Sequence, residues 1–334
     1  MTNYSKVNGI STFTKVNGIT TWSKINGYSK PVSGAVYGYF IAGSTGARVV
    51  TGDVITFSTG VTAASTVNNA SYGRYGLVGV SDKTTYGYVS GGWGATVPVV
   101  ITDRITFSTS ATAANTVSNL ATPRYLPAGL SDGSLYGYVG GGGSGAGSTK
   151  LKSTETITFS TGIYASNTAS DISVERYGVS GLSNGSTYGY FSGGNTSDYS
   201  TVVDRVVFST SITSVNTVSV LSQKRERTAS IGDGSLYGYM AGGYTGAAWA
   251  TTDRMVFSTE IVSANTVSNL TTGRFGTATS RDGTLYGYFA GGYSTAVMTL
   301  TDRITFSTGA NATNTVSNLS QARNNVSGLS DYAV

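Results

Sequence analysis

The sequence predicts an all-β chain closed into a six-bladed propeller, on three observations. Tyr-Gly-Tyr returns at Tyr37, Tyr86, Tyr136, Tyr188, Tyr237 and Tyr286, every 49 to 52 residues. Each copy holds four short β patterns, too few to bury their own apolar faces, so copies must pack side by side, and six close naturally into a ring. The ends also complete each other: residues 323–334 read as a first strand without its second, while Tyr37 begins a second strand without its first. Pairing 326–330 beside 37–42 would hide two edges otherwise open to aggregation.

The repeat unit reads in order. An Arg precedes a short apolar stretch ending in Gly-Leu-Ser-Asp-Gly; then come Tyr-Gly-Tyr-Phe-Ala-Gly-Gly, a variable stretch, Asp-Arg-Ile-Thr-Phe-Ser-Thr, and Asn-Thr-Val-Ser-Asn-Leu as the fourth strand. Strands one and two meet at Asp132-Gly133, Asn184-Gly185, Asp233-Gly234 and Asp282-Gly283, dipeptides that tolerate the positive φ of a tight hairpin turn. In strand two the Gly between aromatics suits a position close to the axis, where neighbouring blades leave little room. Phe57, Phe107, Phe159, Phe208, Phe257 and Phe306 recur in strand three and are expected to pack blade on blade.

This pattern resembles the kelch repeat: an Arg before the first strand, a turn, an aromatic-Gly strand closing on a Gly pair, and an acidic residue leading the third strand. The resemblance spans residues 34–334 and implies blade architecture without implying a ligand. It departs from kelch in the last strand, where Val67, Val117, Val218, Val267 and Val316 stand in place of a Trp.

Residues 1–32 form a different segment, an attachment unit ahead of the propeller at 33–334. Its repeat is nine residues long, with Tyr4, Phe13 and Trp22 each preceding Ser/Thr-Lys-Val/Ile-Asn-Gly. Each Asn-Gly is a hairpin signal, so a small meander is expected, with apolar groups on both faces. So small a sheet is marginal alone and is expected to dock, on an assembly or on its own propeller. Short repeats of this kind resemble, in a general way, the attachment segments of tailed-phage structural proteins.

Composition excludes much chemistry. The chain has no Cys and no His, which removes disulfides, thiolate metal sites, imidazole bases and the usual zinc and copper chemistry. A net charge of +5 comes without basic runs, against a nucleic-acid role. No stretch has the length of a secretory signal or a membrane span, so neither is expected. Ser-Asp-Gly-Ser at Ser131 and Ser235 resembles part of a sialidase-type Asp-box but lacks its spacing and Trp. Calcium loops do not occur, and Asp171, Glu175, Asp198, Glu226 and Glu260 cannot be paired into a glycosidase site from sequence. No cofactor is expected.

One Arg per copy (Arg74, Arg124, Arg176, Arg225, Arg274, Arg323) and one acid (Asp53, Asp103, Glu155, Asp204, Asp253, Asp302) admit two readings: a charged ring around the channel able to hold an anion, or bidentate structural pairs. The second is favoured, because a residue repeated in every blade serves the repeat. Selectivity should instead lie in the connections between strands two and three, which differ in every copy and should share one face. Trp93, Tyr199, Tyr244, Trp249 and Tyr293 lie in them, and exposed aromatics stack on sugars or anchor protein contacts. The expectation is a non-enzymatic virion protein of tail-fibre, tail-tip or receptor-binding type, folded in the host cytoplasm, exposed outside the cell and oligomeric on the particle. Its partners would be other virion proteins through the N-terminal segment and a host-surface glycan or protein. The alternatives are an architectural capsid or tail decoration protein and, third, a glycan-cleaving propeller.

Overall fold

The computed structural model describes residues 24–25, 28–29, 36–145 and 149–331. Two units make up the chain, Met1–Ser33 and Gly34–Val334. In the first, Lys24–Ile25 pairs antiparallel with Tyr28–Ser29, Ile25 opposite Tyr28. The remainder of the nine-residue repeats, with Tyr4, Phe13 and Trp22, lies outside the described residues.

The second unit is a propeller of six four-stranded antiparallel sheets, numbered here as blades 1 to 6 from Tyr37 onward. In blade 3 the strands are Ala128–Ser131, Tyr136–Gly140, Thr154–Thr158 and Ile163–Ser166. Blade 1 is built from both ends of the unit: Ser327–Ser330 pairs with Tyr37–Ser44, with Leu329 opposite Tyr39, as the complementary ends predict. The loop between strands one and two is four residues long, not a two-residue turn. Asp132 Oδ1 accepts the N–H groups of Ser134, Leu135 and Tyr136 at 2.8, 2.8 and 3.0 Å, and Gly133 takes φ 80°. In blade 1 the same device works across the gap in the chain, where Asp331 Oδ1 accepts from Val36 and Tyr37, both at 2.8 Å.

Two expectations about strands are corrected. First strands, not the Tyr-Gly-Tyr strands, stand at the axis, touching one another and lining a channel of about 180 Å³. The Gly of Tyr-Gly-Tyr is required for another reason: a side chain from the preceding blade's first strand lies over it. A Cβ on Gly189 would sit 2.6 Å from Leu130 Cδ1, one on Gly238 2.3 Å from Leu182 Cδ2, and one on Gly87 2.8 Å from Leu329 Cδ1. The second correction concerns Asn-Thr-Val-Ser-Asn-Leu, which is not the fourth strand except in blade 4, where the strand Ile212–Val220 runs through it. Elsewhere the fourth strand lies just upstream (Ala111–Ala114 in blade 2), and the motif makes a single 3-10 turn, Thr116–Ser118, in every blade but the fourth. The turn presents Asn119 Oδ1 to the Thr102 N–H at 2.9 Å, buries Leu120 and leaves Val117 exposed.

Blade contacts repeat round the ring. Each strand-three Phe packs against the second Tyr of Tyr-Gly-Tyr in the preceding blade, as Phe107 on Tyr39 at 5.7 Å and Phe257 on Tyr190 at 6.1 Å. The Arg and acid of the repeat are fully buried within one blade and form no ring on the channel. Arg225 Nη2 meets Asp253 Oδ2 at 2.7 Å and the Met240 carbonyl at 3.2 Å, while Nη1 donates to Thr251 O at 2.8 Å. The pairing runs through one carboxylate oxygen and is therefore not bidentate. In the Asp-Arg dipeptide of strand three the sides alternate: the acid points to the buried Arg, and the following Arg lies over the first Tyr of Tyr-Gly-Tyr, as Arg104 does 4.3 Å from Tyr86.

Two outcomes test this packing. Gly238→Ala should destabilise by about 1–3 kcal/mol because the buried Leu182 must shift to make room, and adding Leu182→Ala should return part of that loss in denaturant titrations. Deleting residues 323–334 should abolish the cooperative thermal transition seen by circular dichroism; a retained transition at the original temperature would contradict closure by this strand.

Candidate binding face

The face opposite the four-residue loops is organised by a circle of backbone hydrogen bonds around the axis. Two residues after each repeat Arg stands a residue with positive φ: Gly76 at 65°, Leu126 at 51°, Gly178 at 66°, Arg227 at 54°, Gly276 at 65° and Asn325 at 50°. Each amide donates to the carbonyl of its counterpart in the preceding blade, from Gly76 to Asn325 at 2.9 Å, Leu126 to Gly76 at 2.7 Å, and so on until Asn325 donates to Gly276 at 2.7 Å. Glycines alternate strictly with residues bearing side chains. The spacing enforces this, since a Cβ on Gly76 would stand 3.0 Å from Leu126 Cδ2 and one on Gly276 would stand 2.5 Å from Asn325 Oδ1. Only three side chains, Leu126, Arg227 and Asn325, fit over the axis.

Outside this circle runs a ring of variable residues. The residue directly after the repeat Arg bridges, antiparallel, to the residue directly after the Gly pair: Tyr75 with Trp93, Tyr125 with Gly143, Tyr177 with Asn195, Glu226 with Tyr244, Phe275 with Tyr293 and Asn324 with Ser44. Aromatic rings from adjacent blades then meet. Trp93 packs edge-on to Tyr125 at 5.0 Å, Tyr125 lies 6.0 Å from Tyr177, Tyr199 is edge-on to Tyr244 at 6.1 Å, and Phe275 sits between Tyr244 and Tyr293 at 5.0 and 5.5 Å.

Two concavities open here. One, of about 530 Å³, is lined by Tyr75, Trp93, Tyr125, Arg48, Arg227 and Asn325 among others. The second, about 460 Å³, lies further out between Tyr199, Gln223, Lys224, Asp198, Thr245 and Trp249. Trp249 is oriented there by its indole N–H, which donates to Thr245 Oγ1 at 2.7 Å, and Lys224 pairs with Asp198 at an exposed position. The sequence-predicted aromatics therefore divide: Trp93 in the first concavity, Tyr199 and Trp249 in the second, Tyr244 in the aromatic packing between blades, and Tyr293 against Phe275 of its own blade. The connections that carry them do share one face, although in blade 1 strands Tyr37–Ser44 and Arg48–Thr56 run on and leave only residues 45–47 between them.

Sequence reasoning missed Tyr75, Tyr125, Tyr177, Phe275, Arg48, Arg227 and Asn325. A signal was present for all but Arg48: the two residues that follow each repeat Arg vary from copy to copy, although the Arg itself does not. Of the acids outside the repeat, Glu260 is structural, accepting from the Tyr190 hydroxyl at 2.8 Å and from Arg205 and Asn216 at 2.9 Å each. Asp171 caps the Thr154 N–H at 2.8 Å, and Glu175 is exposed. Among the described residues no three acidic groups converge as a metal site would need.

Glu226 differs from these acids. It occupies a position that is aromatic in four other blades, it is only 3% exposed, and its Oε1 lies 3.3 Å from Arg227 Nε. Burial pushes its carboxyl above the usual range; Arg227, a hydrogen bond from Tyr177 and Lys150 oppose the shift without cancelling it. A raised folded-state value means the folded protein holds this proton more firmly than the unfolded chain. The associated stability is fully present below the unfolded value and is lost as pH rises through the folded one. Glu226→Gln should therefore melt at a higher temperature than the parent at pH 7 to 8, with the gap closing toward pH 4 in thermal scans. Neither a protein-family model nor a curated protein matches this sequence, so function is argued from the chemistry of this face.

Proposed function

We propose that this chain is a non-enzymatic binding protein of a virus particle, of tail-fibre, tail-tip or receptor-binding type, which presents the aromatic face of its propeller to a host-surface glycan or protein. The observation that carries the reading is a pair of aromatic runs, Trp93–Tyr125–Tyr177 and Tyr199–Tyr244–Phe275–Tyr293, beside two concavities, built from positions that vary on a frame that repeats. Tyr and Trp offer rigid apolar faces with polar tips, suited to the CH faces and hydroxyls of sugars. Propellers serve many functions, so the argument rests on this face and not on the fold. The kelch-like kinship of the blade adds only architecture.

Placement on a particle is supported by the N-terminal aromatic-Lys-Val-Asn-Gly repeats, which suit an attachment segment to other virion proteins. Several copies on one particle would convert weak contacts into avidity without new chemistry. Among the described residues no helix is long and apolar enough to cross a membrane.

A glycan array probed with the full chain tests the reading. Binding should fall about tenfold or more for Trp93→Ala or Trp249→Ala, the usual cost of truncating a central aromatic anchor. Tight binding to purified particles with no glycan signal would favour the decoration role instead, and released reducing sugar would reveal a hydrolase.

A further inference from the structure

The concavity over the axis holds a set of groups that the outer groove lacks. Tyr75, Trp93 and Tyr125 supply aromatic walls, and its charged groups are two guanidiniums, Arg48 and Arg227. Arg48 is exposed. Arg227 is a quarter exposed, leans 5.5 Å from the Phe275 ring and contacts Glu226 through Nε. Contact through Nε leaves the two terminal nitrogens, the fork that grips a planar anion side by side.

Asn325 adds a polar edge to the same concavity, with its Oδ1 covered against Gly276 of the axial circle. A volume of about 530 Å³ is in the range of small-molecule sites.

An anion for the guanidiniums and an apolar ring face for Trp93 and Tyr125 describe one ligand class. We infer that the axial concavity is the subsite for a sugar bearing a carboxylate, a uronic or sialic acid residue of a surface polysaccharide. This rests on the glycan-binding reading and sharpens it. A monoanionic carboxylate suits the site better than a phosphate monoester, because Glu226 stands against Arg227 and would repel a second negative charge.

Calorimetric titration of the full chain with methyl β-glucuronide, N-acetylneuraminic acid, methyl β-glucoside and inorganic phosphate tests it. At least one acidic sugar should bind roughly tenfold or more tightly than the glucoside, the worth of a charged hydrogen-bonded contact. Added salt should weaken the acidic sugar alone. Arg48→Gln should reduce the preference without lowering the melting temperature, Arg227→Gln should reduce it in a protein that still melts cooperatively, Arg227→Lys should keep part of it, and Trp249→Ala, whatever it costs overall glycan binding, should leave the acid-to-glucoside ratio unchanged. Equal binding of acid and glucoside would overturn the inference, as would phosphate competing as well as the acids, or a preference that follows Trp249 and not Arg227. Each of those results leaves glycan binding standing, whereas no saccharide binding at all would remove both.

Discussion

Six backbone amides passing hydrogen bonds round the propeller axis impose the constraint that the rest of the molecule satisfies. Each bond contributes only about 1 kcal/mol net, so the importance of the circle is geometric. It demands the left-handed backbone region in every blade, which Gly takes without penalty and which costs Leu126 and Arg227 roughly 1–2 kcal/mol each. It also brings neighbouring residues so close that side chains fit only at alternate positions. One of its six members, Asn325, comes from the C-terminal stretch, so closure of the ring and completion of the circle are the same event.

Away from the axis the blades are held by contacts that also repeat. A first-strand side chain seats over the Gly of the next blade, and a strand-three Phe closes on the Tyr of the blade before it. The buried Arg joins three parts of its own blade, reaching the end of strand two, the approach to strand three and the acid within it. Burial drives each of these guanidiniums below its usual range against the pull of its carboxylate. Losing one partner of such a pair leaves an uncompensated buried charge, at about 3–5 kcal/mol. These pairs therefore specify how strand two meets strand three in every copy, and their full burial closes them to a ligand.

Variation concentrates where this frame makes no demand. The residues after the repeat Arg and after the Gly pair bridge through backbone atoms alone, so any side chain is admissible there. The chain uses that freedom for aromatics and, in one blade, for Glu226, whose desolvated carboxyl costs stability rather than adding to it. A destabilising group on a rigid, concave, aromatic face is the kind of departure that function explains better than folding.

Sequence alone determined the number of blades, their closure by the two ends, the role of the repeat Phe and the place, though not the length, of the Asp-Gly loops, because each depends on a local pattern or a fixed period. It misplaced Asn-Thr-Val-Ser-Asn-Leu as a strand, since alternating Val and polar residues look extended until Asn119 and Leu120 are seen to turn inward. Only the tertiary structure decided which strand lies at the axis, that the repeat Arg is sealed inside its blade, and that Tyr75 meets Trp93, Tyr125 and Arg227 around one concavity. These depend on bringing together residues far apart in the chain at a single axis. A periodic sequence announces that such an axis exists, but the side chains that share it are chosen by the few ångströms of space left around the hydrogen-bonded circle.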